Sequence, residues 1–269
     1  DVSQHVFVGG NAFMQRLLSR FREELRVVSP SRELEMAALK TTAHLQSEAA
    51  RVSIESAEVR DGRVAARVSV ENLAGHKLPT AYPSRRAWLH VVVRERGGNI
   101  VFESGGWDQR GAIRGNDNDE DPSRYEPHYA EITEPGQVQI YESIMVDAAG
   151  AVTTGLLRGV RYVKDNRLLP MGFDKRGAGP EIAVAGGALG DEDFEGGGDG
   201  IRYSVSSAGA QGPFVVEAAL CYQPIGFRWA ENFQSYKAEE PRRFLRFYRA
   251  AAAGAVVVIA AAKAQAPAQ

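Results

Sequence analysis

The sequence predicts a mainly β protein: an antiparallel β-sandwich preceded by an N-terminal helical hairpin and followed by a C-terminal helical return. Three observations predict it. From Arg51 the apolar period changes from 3.6 residues to 2. Asp61-Gly62 stands between two alternating runs, a strong signal for a two-residue β-hairpin. Gly97-Gly98-Asn99 then separates two further apolar runs, the syntax of a meander or sandwich rather than of βαβ units.

In chain order, residues 1–10 read as an extended lead broken at Gly9-Gly10. Asn11 is placed to cap a helix running to about Val27, whose buried stripe is Phe13, Leu17, Leu18, Phe21 and Leu25. Ser29-Pro30-Ser31 breaks the chain and starts a second helix, with Leu34, Ala37, Ala38, Thr41 and Leu45 as its apolar face and Glu33 and Glu35 near its positive end. The two helices make a hairpin over residues 1–50. Val52, Ile54, Ala57 and Val59 alternate with polar residues. After Asp61-Gly62, Val64, Ala66, Val68 and Val70 alternate on the return. Residues 88–93 are a second apolar strand, interrupted by His90, and residues 100–102 return from the Gly97-Gly98-Asn99 turn.

Residues 104–136 are a long polar, glycine-rich insertion, and loops of that length are functional or disordered. Alternation resumes over 137–146, a turn follows at 147–150, and 156–163 reads as a strand. Residues 186–200 form a second acidic, glycine-rich loop; 201–206 and 214–222 are the last strands. Residues 229–236 look helical. Pro241 suits the first turn of a final helix whose aromatic face, Phe244, Phe247 and Tyr248, is expected against the sheet. The sandwich is expected over 51–262, ending in a strand or helix, and 263–269 is expected to be a loose tail.

Composition narrows the function. A hydrophobic share of 44 % and a charged share of 25 % are those of an ordinary globular protein. A net charge of −2 gives no global argument for nucleic acid or an anionic membrane, and Arg85-Arg86 and Arg242-Arg243 read as solvated faces. The apolar run 250–262 is too short to span a bilayer. With 1 Cys, Cys221, the chain can form no internal disulfide and holds no Cys-X-X-Cys-His haem attachment site. Serine-hydrolase, zincin, phosphate-loop and dinucleotide fingerprints are all absent.

Two groups of residues suggest ligand chemistry. The clustered oxygens of Asp117, Asp119 and Asp121 suit Ca²⁺, although the helix–loop–helix calcium pattern is incomplete. His76 sits in a mixed loop between two strands and His128 in the long insertion. Brought together, the two imidazoles would suit a transition metal or a haem iron.

Several stretches carry a resemblance. They are Gly75-His76-Lys77-Leu78-Pro79-Thr80 with Pro83-Ser84-Arg85-Arg86-Ala87-Trp88-Leu89; Gly115-Asn116-Asp117-Asn118-Asp119; Glu126-Pro127-His128-Tyr129; and Gln137-Val138-Gln139-Ile140-Tyr141-Glu142. Lys164-Asp165-Asn166-Arg167-Leu168-Leu169-Pro170, Gly172-Phe173-Asp174-Lys175 and Tyr222-Gln223-Pro224-Ile225-Gly226-Phe227-Arg228-Trp229-Ala230 continue it over nearly the whole chain. Together they resemble the haem-free C-terminal region of bacterial multihaem c-type cytochromes. His5-Val6-Phe7-Val8-Gly9-Gly10-Asn11 is similar to the segment that follows the last haem motif in such proteins.

The resemblance implies an accessory or structural module of an exported, periplasmic or extracellular electron-transfer system. It implies haem c held by another segment or chain, and a c-type cytochrome domain or subunit as partner. His5 is then a candidate axial ligand, with His76 and His128 as further candidates. The residue chemistry keeps two other readings open: a secreted Ca²⁺-stabilised module binding a surface or polysaccharide, and a metal-dependent oxidoreductase using His76 and His128.

Overall fold

The computed structural model describes residues 9–207 and 209–267. Helix α1 (Ala12–Arg20) begins where expected, because the Asn11 side chain accepts a hydrogen bond from the Met14 amide at 3.0 Å. It stops at Arg20 rather than at Val27. The chain then continues as turns, with Arg26 in the left-handed region at φ 52°. Helix α2 (Ser31–His44) packs beside α1, and a π-turn over Leu45–Ala49 feeds it into strand β1 (Ala50–Arg60).

β1 and β2 (Arg63–Asn72) form the expected hairpin. Asp61 and Gly62 both have positive φ, 51° and 70°, matching the twist of the flanking strands. Strand β2 alternates without a break, burying Val64, Ala66, Val68 and Val70. Next come β3 (Arg86–Arg94), β4 (Ile100–Ser104), a one-turn helix α3 (Asp117–Glu120), β5 (Glu131–Ile132), β6 (Ile140–Tyr141), β7 (Ser143–Val146), β8 (Val152–Thr153) and β9 (Arg161–Asp165). The chain ends with β10 (Gly198–Ser206), β11 (Phe214–Gln223), α4 (Phe227–Glu231), α5 (Glu239–Ala251) and β12 (Val257–Ala266).

One sheet runs β1-β2-β10-β5 and the other β12-β11-β3-β4, with β6 beside β3; a small third sheet is β8-β7-β9. All pairings are antiparallel except β10 with β5. The inner faces of the two large sheets share one apolar core, including Val68, Ile201 and Tyr203 from the first sheet and Leu89, Val91 and Leu220 from the second. The protein is thus mainly β, with open sheets, an N-terminal helix pair and C-terminal helices.

Residues 104–136, expected to be a functional or disordered loop, are an ordered cover, and two other expectations change. Together with residues just beyond them they bring Ile113, Val138 and Ile140 onto the outer faces of Trp88 and Cys221 as a second apolar cluster, which is why β3 is buried on both faces. Gly105 lets this cover turn away from β4: its φ is +75°, and a Cβ there would meet the Leu89 carbonyl oxygen at 2.2 Å. The aromatic face of α5 packs against α1 rather than the sheet, with Phe21 stacked on Phe247 at 4.1 Å and Phe13 edge-on to Tyr248 at 5.5 Å. Finally, the strand β12 continues through Lys263 to Ala266, paired with Phe214–Gln223, where a loose tail was expected.

Candidate functional site

The stretch between β2 and β3 is held by buried polar contacts. Asn72 donates from Nδ2 to the His76 and Leu168 carbonyls at 2.9 and 3.0 Å. Lys77 is buried and places Nζ 3.0 Å from Asp165, which also takes a two-point contact from Arg167. Burial lowers the Lys77 pKa, and the Asp165 charge opposes that shift. His76 is exposed. Its Nδ1 lies 3.1 Å from the Lys77 carbonyl, and its Nε2 has no hydrogen-bond partner among the described residues.

Arg86, expected on a solvated face, is buried. It meets Asp119 through both nitrogens and also reaches the Gln223 side chain and the Gly111 carbonyl. This corrects the solvated-face expectation, and it gives Asp119, a calcium candidate, an arginine partner. Asp117 pairs with Arg124 at 2.6 Å, and Asp121 accepts from the Ser123 amide and hydroxyl at 2.8 and 2.7 Å. The three carboxylates therefore face three different partners and do not converge on one centre.

The His128 side chain is buried in a second polar centre. Its Nδ1 receives two amide groups, from Gln139 Nε2 at 2.9 Å and Asn166 Nδ2 at 3.0 Å. Neither amide is free to flip. The Gln139 oxygen accepts from the Tyr129 amide at 2.9 Å, and the Asn166 oxygen from the Glu142 amide at 3.0 Å. Nδ1 is therefore an acceptor, so the ring proton sits on Nε2 and is donated to Asp191 at 3.1 Å. Burial, then the charges of Lys164 and Lys175, hold the His128 pKa down at about 3. Asp199 completes the centre, accepting from Tyr141 at 2.8 Å and Gln139 at 3.0 Å. Burial pushes its carboxyl up to about 7.

His128, Asp191 and Asp199 bring one ligand atom each within 4.8 Å of one another, the one such trio among the described residues. Their hydrogen bonds do not fit a metal. A metal-bound imidazole normally donates its second ring N–H, whereas here two fixed donors occupy Nδ1 and a cation on Nε2 would leave the ring without a proton. The residues fit a structural His–Asp pair. A covalent haem fits no better: Cys221 lies fully buried in β11, with its thiol pushed up to about 12 by burial.

A cleft of about 730 Å³ opens where the loop before β3 meets the turn after β11 and the tip of the small third sheet. Tyr82, Ser84 and Arg85 come from the first, Pro224, Ile225 and Trp229 from the second, and Leu156, Leu157 and Arg158 from the third. Asn11, Phe233, Tyr236 and Phe244 complete the wall. The apolar side chains here are unusually bare: Tyr82 is 58 % exposed, Tyr236 48 % and Leu157 104 %. The Asn232 amide holds the tip in place through Thr154 Oγ1 at 2.9 Å. Arg85 donates to the Gly9 carbonyl at 3.1 Å and Tyr222 to the Gly10 carbonyl at 2.8 Å, fixing the start of the described chain at the cleft edge.

Of the sequence candidates, His5 lies outside the described residues, His76 is exposed, and His128 is buried elsewhere. The cleft was not anticipated. Trp229 and Phe244 were in view, but no period or spacing joins segments so far apart in the chain.

No family model matches the chain, and no curated protein matches it. Among solved structures, the crystal structure of a penta-heme cytochrome c552 from Thermochromatium tepidum is similar to it, at 15% sequence identity and a TM-score of 0.48. The match covers 83% of this chain and 41% of that one, so the chain spans about two fifths of that protein's length.

Proposed function

We propose that this chain is an accessory module of an exported multihaem c-type cytochrome system, and that its cleft receives a haem-bearing segment held outside the chain. One observation carries the reading. Residues from three stretches that bear the cytochrome resemblance, Asn11 of the lead, Ser84 and Arg85 of the loop before β3, and Pro224, Ile225 and Trp229 of the segment 222–230, converge on this cleft. A concave, mostly apolar surface with bare aromatic side chains is the kind that a partner covers. The electrons would travel through iron porphyrins that this chain does not bind covalently, and its part is to dock or shield them.

His76 does not line the cleft, but it is the better-presented of the two described histidine candidates. Its Nδ1 is turned to a backbone carbonyl and its Nε2 is open, the arrangement of an imidazole ready to bind iron. His5 lies outside the described residues and remains a candidate axial ligand on the sequence resemblance alone. No helix among the described residues is long and apolar enough to cross a membrane.

The test is a photo-crosslinking amino acid placed at Leu157, and separately at Val28, which is equally bare but outside the cleft. In the native host, the reading expects a haem-staining crosslinked band from position 157 and none from 28. A band from both, or from neither, contradicts it.

A further inference from the structure

We infer that Arg85 and Arg158 are carboxylate anchors, so that the cleft takes a flat apolar body carrying acid groups along one edge. On the docking reading above, on which this rests, that edge is the propionate edge of the haem.

The charge of the cleft argues for it. The lining contains Arg85 and Arg158 and no aspartate or glutamate. Elsewhere several arginines of this protein are neutralised by an acid: Arg86 pairs with Asp119, Arg167 with Asp165, Arg249 with Glu231 and Arg94 with Glu217. Arg85 has no carboxylate partner among the described residues. It donates to the Gly9 backbone carbonyl and lies half-buried against the Tyr222 hydroxyl. Arg158 stands exposed at the tip of the small sheet and has no ion pair among the described residues. Two guanidiniums without an acid partner thus share the cleft lining with apolar side chains such as Tyr82 and Trp229. A guanidinium is a planar two-point donor matched to a carboxylate, and it gains most where the pair is partly removed from water. An aromatic body alone would use the apolar side chains and leave both charges unanswered. A small inorganic anion would use the charges and leave the apolar side chains bare. A ligand with both parts satisfies both.

The experiment uses metal-free mesoporphyrin IX, a flat macrocycle with two carboxylates on one edge, and its dimethyl ester, which keeps the macrocycle and removes the charges. Binding to the full chain is followed by quenching of tryptophan fluorescence and by equilibrium dialysis, with circular dichroism to show that each variant is folded. The expected result is that the acid binds about tenfold or more tightly than the ester, the usual scale for a hydrogen bond to a charged group. Arg85→Gln and Arg158→Gln should each weaken the acid and leave the ester unchanged. Arg243→Gln, outside the cleft, should change neither. A general loss of structure would weaken both probes alike, so the acid-to-ester ratio separates anchoring from a merely structural role.

If the acid and the ester bind the cleft equally, the anchors are wrong while the docking reading stands. If Arg243→Gln weakens the acid as much as the cleft variants do, the binding is unspecific charge attraction and the inference falls. If folded protein binds neither probe, this inference falls. The docking reading is then judged separately, by the crosslink from position 157.

Discussion

Arg86 of β3 lays its guanidinium across both carboxylate oxygens of Asp119, at 2.8 and 2.9 Å, with both side chains buried. The same carboxylate accepts the Ile113 amide at 2.8 Å, while Arg86 also holds Gln223 of β11. One ion pair thus ties the cover, the central strand and its neighbour. Asp119→Ala should destabilise the protein by about 3–5 kcal/mol, because it strands a buried charge. Asp119→Asn, which keeps the shape and one acceptor, should cost less. Urea unfolding of the two variants checks the order.

Calcium should not matter to this fold. Asp117, Asp119 and Asp121 are each committed to a separate protein partner, Arg124, Arg86 and Ser123. A ligand that binds only the native state raises the unfolding midpoint. The midpoint should therefore be the same in excess Ca²⁺ and in excess chelator. A chelator-induced drop would revive the calcium reading.

The His128 centre should give two opposing pH arms. His128 has its pKa lowered from 6.5 to about 3, so the unfolded chain binds its proton first, and this contribution to stability is lost as pH falls below 6.5. Asp199 has its pKa raised from 3.8 to about 7, so its contribution is present at low pH and is lost as pH rises from 3.8. Between pH 3.8 and 6.5 the two slopes oppose each other. Asp199→Asn should expose the histidine arm, with stability falling on acidification by up to about 1.4 kcal/mol per pH unit. His128→Gln should tilt the profile the other way. Thermal or urea midpoints across this window read both slopes.

The end of the chain should be structural. Lys263 to Ala266 pair with Glu217 to Phe214, and Lys263 reaches Glu217 at 2.9 Å. Truncation after Ala262 should lower the unfolding midpoint, which trimming a loose tail would leave untouched. Differential scanning calorimetry of the truncated chain decides it.

These outcomes also explain what the sequence made legible. A half-buried sheet imposes a period of two, so β1, β2 and their Asp-Gly turn could be read directly. The Arg86–Asp119 pair could not: its partners lie 33 residues apart, and two adjacent arginines look like surface. That residues 104–136 cover the sheet could not be read, because the anchors Ile113, Val138 and Ile140 are too sparse for any period. His128 was singled out as a ligand by residue type. Its role is set by Gln139, Asn166 and Asp191, which reach it from 11, 38 and 63 residues away. Many of the stretches that bear the cytochrome resemblance supply this buried polar scaffold, Lys77, Arg86, Asp119, His128, Gln139 and Asn166 among them, and others shape the cleft.

The most direct test of the central claim is absorbance at the Soret wavelength across a size-exclusion profile of the protein purified from its native source. The account predicts that a c-type haem signal co-elutes with the wild-type chain and separates from a Leu157→Asp, Trp229→Ala variant that remains folded. A colourless wild-type peak, or a haem signal that follows the variant unchanged, would contradict it.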